Sequence, residues 1–185
     1  GLWVGMKCVT EVVESSASVY IDPHRPEILL PEDFVLPEDG LNLRWPDTPL
    51  AQEARLLDHK LYAALAYVRH NRLNRVVLEA PQARFGIMAA GKAYLDTREA
   101  LRNLGLDDDT CRRIGIRLMK VGCVWPMNAQ DSREFATGLQ EILVVEEKRQ
   151  ILEYALKEEL YNWRDDVRPR VSGKFADQGD GGGEW

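Results

Sequence analysis

Residues that build metal and redox centres are scarce here: the 185-residue chain has 3 cysteines and 3 histidines. Cys8, Cys111 and Cys123 stand far apart and none belongs to a CxxC pair. That pattern argues against a disulfide scaffold, a zinc ribbon and an iron–sulfur cluster. Cys8 and Cys123 have apolar neighbours and read as buried thiols. His24 sits in a proline turn, and His59 and His70 would lie about 16 Å apart along one helix, too far to share a metal. No metal site and no Ser–His–Asp set is expected. Basic excess is also absent: the net charge is -6, which argues against a nucleic-acid partner. No apolar run approaches the roughly 20 residues of a membrane span. No signal-peptide pattern is visible, so the cytoplasm is the expected location. What is present is ordinary for a soluble globular protein: 45% hydrophobic and 29% charged residues. A chain of this length can bury roughly 70% of its extended surface, enough for one good-sized domain with extra segments.

The chain opens on Gly1-Leu2-Trp3-Val4-Gly5-Met6, apolar at once, and ends on Gly179-Asp180-Gly181-Gly182-Gly183-Glu184-Trp185 without closing a pattern. This texture is expected of a piece of a longer polypeptide. Leu2, Met6, Val9 and Val13 have helical spacing, and Ser18 to Ile21 suit a short strand. Residues 22–47 hold five prolines and read as a linker ordered against a surface. Thr48-Pro49 is a helix start. Leu50, Ala54, Leu57, Leu61, Leu65 and Val68 then mark an amphipathic helix to about His70.

From Arg75 the pattern alternates. Val76–Leu78 and Phe85–Ala89 read as strands. Gly91 opens a helix with Tyr94, Thr97, Leu101 and Leu104 on one face, and Gly105 ends it. A short helix over Asp107–Arg113 is closed by Gly115, and Ile116–Val121 is a third strand. Asn128 caps a helix carrying Phe135, Ala136 and Leu139. Ile142–Val145 is an unbroken apolar strand, expected to be central and covered on both faces. Ile151, Leu152, Ala155, Leu156 and Leu160 mark a last helix, and Val167–Ser172 a fifth strand. This alternation implies an α/β fold: a three-layer α/β/α sandwich with a mostly parallel five-stranded sheet, preceded by a helical and extended N-terminal segment. The Gly- and acid-rich tail, 173–185, reads as disordered.

Three stretches invite a chemical reading. Gly86-Ile87-Met88-Ala89-Ala90-Gly91-Lys92-Ala93 resembles a phosphate-binding loop, but Ala93 stands where a magnesium-holding hydroxyl belongs. A strand, a glycine turn and a helix start explain it better. A weaker role for the Gly91–Lys92 helix start, meeting an anion or a neighbouring carboxylate, survives. Gly179-Asp180-Gly181 matches the opening of a thiamine pyrophosphate motif, but too few residues follow it. Glu146 and Glu147 follow the apolar fourth strand, at the end of a parallel sheet where sites gather. They could serve acid–base chemistry or receive a partner's arginine; acids at a helix N-terminus are the plainer reading. Gly91, Lys92, Glu146 and Glu147 are thus the candidates for an anion or interdomain contact. The tryptophans are expected to pack between segments.

An ordered set of stretches resembles the indolepyruvate ferredoxin oxidoreductase family. It runs from Gly1-Leu2-Trp3-Val4-Gly5-Met6-Lys7-Cys8-Val9-Thr10-Glu11 and Glu14-Ser15-Ser16-Ala17-Ser18 to Arg84-Phe85-Gly86-Ile87 and Gly91-Lys92-Ala93-Tyr94-Leu95-Asp96. It continues through Lys120-Val121-Gly122-Cys123-Val124-Trp125-Pro126 and Ile142-Leu143-Val144-Val145-Glu146-Glu147-Lys148-Arg149 to Val171-Ser172-Gly173-Lys174. The resemblance implies that residues 1–21 end a thiamine pyrimidine-binding domain, 22–74 form a connection, and 75–172 form a transketolase C-terminal-like domain whose first strand runs antiparallel.

The resemblance further implies a parent enzyme that oxidatively decarboxylates arylpyruvates to acyl-CoA. Such an enzyme uses thiamine pyrophosphate, magnesium, coenzyme A and iron–sulfur clusters, and passes electrons to ferredoxin. No catalytic residue of that family has a match here, so this segment is expected to bind no cofactor and to be inactive alone. The other domains of the parent, and a homo-oligomer formed through it, are the expected partners. Two alternatives stay open: a stand-alone flavodoxin-like interaction module, and the C-terminal domain of a 2-oxoacid dehydrogenase beta chain. A supporting domain predicts exposed Leu2, Trp3, Val9 and Val13.

Overall fold

The computed structural model describes residues 2–24 and 27–174. They fall into two compact units, Gly1–Arg72 and Leu73–Trp185. No described helix is long and apolar enough to cross a membrane.

The first unit is mostly irregular up to its long helix. The expected helix over 2–13 shrinks to α1, Thr10–Val13. Gly5 interrupts the stretch, and a turn of helix with no packed face does not repay its nucleation. Ser18–Ile21 forms no strand, having no ladder partner among the described residues; Val19, Tyr20 and Ile21 are all exposed. Trp3 and Val13 are exposed as expected of a supporting domain, and Leu2 only marginally so, whereas Val9 is half-buried. Cys8 is exposed and Cys123 half-buried, so the buried thiol is Cys111 instead.

Thr48 caps α2, Pro49–Arg55, by accepting the Ala51 N–H. The helix passes through a π-helical turn, Leu56–Lys60, into α3, Leu61–His70. This wide turn breaks the expected stripe: Leu50 and Leu57 are exposed, while Gln52, Arg55 and Leu56 turn inward. Arg55 is drawn in by Asp39 and by the Gly40 carbonyl. Its guanidinium, helped by Arg44, holds the Asp39 carboxyl below the usual carboxylate range. At the end of α3, Asn71 brackets Leu29, accepting its N–H at 2.9 Å and donating to its carbonyl at 2.8 Å.

The second unit is a five-stranded sheet in the order β1-β3-β2-β4-β5. The strands are β1 Arg75–Leu78, β2 Phe85–Ala90, β3 Ile116–Val121, β4 Glu141–Val145 and β5 Arg170–Ser172. β1 runs antiparallel to β3 and every other pairing is parallel. The helices are α4 Gly91–Asn103, α5 Asp108–Ile114, α6 Ala129–Ala136 and α7 Ile151–Leu160.

Alternation along the strands feeds two cores. Met88, Met119, Val121, Ile142, Val144 and Val171 point to α6 and α7, where they meet Phe135, Leu152, Leu156 and Leu160. Ile87, Ile116 and Leu118 point the other way, onto Leu101 and Cys111 of α4 and α5. Helices thus cover both faces, the expected three-layer arrangement. β2, not β4, is the fully covered centre. β4 fully buries only its Ile142 and Val144 face, on the first core; Leu143 and Val145, on the opposite face, are half-buried. Leu104, expected on the inner face of α4, is exposed just past the helix end.

Arg117 of β3 ties the layers together. It donates to the carbonyls of Phe135 and Thr137 at the C-terminus of α6, at 2.7 and 2.9 Å, and pairs with Glu79. The connection from α7 to β5 packs Trp163 on the larger core and beyond it carries surface pairs of its own: Arg164 with Asp166, and Arg168 with Asp165.

Asp107 caps α5 by accepting the Thr110 N–H at 2.7 Å, and that bond holds its carboxyl below the usual range. A depressed folded pKa stabilises the fold above the unfolded value, about 3.9, and the benefit fades as pH falls through the folded one. Asp107→Asn keeps a capping oxygen but not the charge. The urea midpoints of variant and parent are therefore expected to differ near neutrality and to converge in acid; a constant offset would contradict this.

Candidate functional site

The register aligns the carboxyl ends of the parallel strands. Ala90 of β2 lies opposite Val121 of β3, Ala89 opposite Val145 of β4, and Leu143 opposite Ser172 of β5. The segments starting at Gly91, Gly122, Glu146 and Gly173 therefore emerge on one edge. From β2 the chain moves through α4 and α5 to β3 on one side; from β4 it moves through α7 to β5 on the other. The topological switch point lies between β2 and β4, where α/β sheets open a crevice. Gly91–Lys92 and Glu146–Glu147 flank it from its two sides.

Each candidate has a definite place. Gly91 begins α4 in the left-handed region, φ +53, and α4 starts without a side-chain cap. Lys92 pairs with Asp96 at 2.7 Å, one helical turn on. Ala93 is buried, and 86–90 is strand, so no phosphate-binding loop forms there. Glu146 is occupied. Its Oε1 accepts the N–H groups of Ile151 and Leu152, at 2.9 and 2.8 Å, and Oε2 accepts that of Glu153 at 3.1 Å. It is the N-terminal cap of α7, and its oxygens are committed to orphan helix donors rather than to substrate. Glu147 is exposed, and its backbone carbonyl accepts from Lys174 at 3.2 Å.

Two organising residues escape the sequence pattern. Asn74 is buried; its Oδ1 accepts the N–H groups of Gly122 and Cys123, both at 3.0 Å, and its Nδ2 faces Asp131 at 3.5 Å. It fixes the turn that leaves β3. No spacing rule marks a lone Asn ahead of a strand. Glu153 is fully buried, pairs with Lys157 at 2.6 Å, and accepts the Lys174 N–H at 2.8 Å. A trace of it was readable: it lies three and seven residues before Leu156 and Leu160, a charge on an apolar stripe.

Burial pushes the Cys111 thiol up, with Asp108 adding to the effect, so it is a packing residue rather than a nucleophile. Lys120 lies over the Tyr94 ring, 5.2 Å from its centroid. Trp163 packs on the larger core, whereas Trp3, Trp45 and Trp125 are exposed. Among the described residues no group of three or more His, Cys, Asp or Glu could hold a metal ion. Gly179-Asp180-Gly181 lies outside the described residues.

The family model of the indolepyruvate ferredoxin oxidoreductase middle domain matches residues 74–185. The chain belongs to that family. The chain is 31% identical over 109 residues to the indolepyruvate oxidoreductase subunit IorA of Methanothermobacter marburgensis, covering 57% of this chain and 16% of the relative. With the same subunit of Methanothermobacter thermautotrophicus the figures are 30% over 123 residues, 63% and 19%. The chain therefore spans less than a fifth of these curated relatives. Among solved structures, a 2-oxoglutarate:ferredoxin oxidoreductase from Magnetococcus marinus has a TM-score of 0.43 at 18% identity, over 76% of this chain and 22% of that one. A split-gene transketolase, an inactive beta4 tetramer, has a TM-score of 0.41 at 20% identity, over 54% and 31%.

Proposed function

We propose that this chain is a supporting domain of a thiamine-dependent 2-oxoacid ferredoxin oxidoreductase that oxidatively decarboxylates arylpyruvates to acyl-CoA, and that it carries none of the catalytic groups. The observation behind this reading is the family match over 74–185. The geometry of the crevice supports it. Its half-buried acid, Glu146, is spent on capping α7, and Lys92 is paired with Asp96. A general acid or base exchanges a proton with substrate, whereas Glu146 already accepts three backbone N–H groups.

The described residues do not fit the parent's cofactors. A magnesium diphosphate needs a set of oxygen ligands, and an iron–sulfur cluster needs several converging thiolates. No such metal-binding group occurs among them, and Cys111 is sealed in a core. We assign thiamine pyrophosphate, magnesium, the clusters and coenzyme A to other parts of the parent. Its task is structural: it presents the Gly91–Lys92 and Glu146–Glu147 edge to neighbouring domains and helps hold a homo-oligomer together. The 1–21 segment belongs with a pyrimidine-binding domain and 22–74 with the connection; exposed Trp3 and Val13 support that. The parent is cytoplasmic and hands its electrons to ferredoxin.

The experiment is a paired assay. The full-length parent is expected to reduce a low-potential acceptor with indolepyruvate and coenzyme A, while residues 1–185 alone show neither turnover nor magnesium-dependent thiamine pyrophosphate binding in calorimetry. Binding or turnover by the short chain would sink the supporting role. A parent inert toward every arylpyruvate would sink the activity.

A further inference from the structure

At the carboxyl edge the end of β5 is fastened across the loop that leaves β4. Lys174 reaches back with its Nζ to the backbone carbonyls of Glu147, at 3.2 Å, and Lys148. Its own N–H donates to Oε2 of Glu153 at 2.8 Å. Glu153 has no solvent exposure, and its other oxygen takes the Lys157 ammonium at 2.6 Å. Gly173 passes so close that an added Cβ would lie 2.4 Å from Glu153 Oε2. The Glu153 N–H in turn donates to Glu146, the residue that opens the loop.

The chain of contacts closes a ring: Glu146 to the first turn of α7, Glu153 to the backbone after β5, Lys174 to the peptide carbonyls of the loop. A buried carboxylate is costly unless it is paired and hydrogen-bonded; Lys157 pairs with Glu153, and the Lys174 N–H adds a hydrogen bond to its second oxygen. Part of the loop's order is set by Lys174, two residues past the neighbouring strand.

We propose that Lys174 and Glu153 form a latch that positions the β4–α7 loop, one wall of the switch-point crevice, and couples that wall to the chain emerging from β5. Lys174 is a positioning residue; it acts through the two carbonyls and through Glu153. Release of Lys174 frees the loop and exposes the α7 cap while the rest of the sheet stays intact. The inference does not depend on the proposed activity.

Hydrogen exchange read by mass spectrometry on the full-length protein tests it. In Lys174→Met the amides of Ile151, Leu152 and Glu153 are expected to exchange on the order of tenfold faster, the weight of one or two hydrogen bonds. Peptides from α4 should stay within about twofold of the parent protein. Lys174→Arg keeps a long cationic donor and should restore most of the protection. No change at 151–153 in Lys174→Met would overturn the latch. So would equal acceleration in α4, which would mean general destabilisation. Lys174 is only partly buried, so its variants are expected to fold; Glu153→Gln, a riskier change, should reproduce the same regional pattern.

Discussion

Gly122→Ala is expected to lower the stability of the second unit by about 3 kcal/mol, near the top of the range for overpacking. An added Cβ would sit 2.4 Å from the Leu73 carbonyl oxygen and 3.1 Å from its carbon. Both are backbone atoms, so no side-chain rotation relieves the clash. Either the entry into β1 moves or the turn after β3 does. Asn74 lies on one side of that contact and receives the Gly122 and Cys123 N–H groups on the other. Moving either strand end therefore also strands a buried amide. Urea unfolding should show a lower midpoint with an unchanged slope. An unaltered midpoint would show that the two strand ends are not fixed against each other.

Phe135→Ala is expected to cost about 3–5 kcal/mol, the usual penalty for emptying a buried aromatic site. Phe135 is 1% exposed and lies in the larger core, beneath β2. Its partner there is an absence: at Gly86 a Cβ would meet Leu139 Cδ1 at 2.5 Å and Phe135 Cζ at 3.0 Å. The bare strand surface is what lets the ring and Leu139 approach. Gly86→Ala alone should therefore destabilise. Placed on Phe135→Ala it should cost less, because Leu139 can then swing into the vacated space. The coupling should be about 1 kcal/mol in a double-mutant cycle. Strict additivity would contradict this packing.

Much of the second unit was legible because local chemistry and tertiary packing agree there. Ile116–Val121 has the bounds its residues suggest. Asn128 caps the helix it precedes, as expected, and Asp107, read as the first residue of its helix, is that helix's cap. Gly115, which ends α5, adopts φ +90. The first unit was less legible. A periodic pattern such as Leu2, Met6, Val9 and Val13 states only a possible face, and without a partner the face does not fold into a helix. The Leu50–Val68 stripe failed halfway because the helix passes through a wide turn at Leu56–Lys60 that no periodicity announces. The topology brings Gly91, Lys92, Glu146 and Glu147 to one edge of the sheet, but their roles depend on distances. Glu146 could be read as an acid at a helix start, yet only the three N–H contacts show that it is consumed there. Asn74 acts across 48 and 49 residues of chain, beyond the reach of any local rule.

The stretch between α7 and β5 lies on the opposite side of the sheet from the crevice and is secured by exposed ion pairs within itself, which contribute little. Lengthening it costs little closure entropy. Past Trp163, which packs on the larger core, an inserted fluorophore or affinity sequence would therefore be tolerated without disturbing either core.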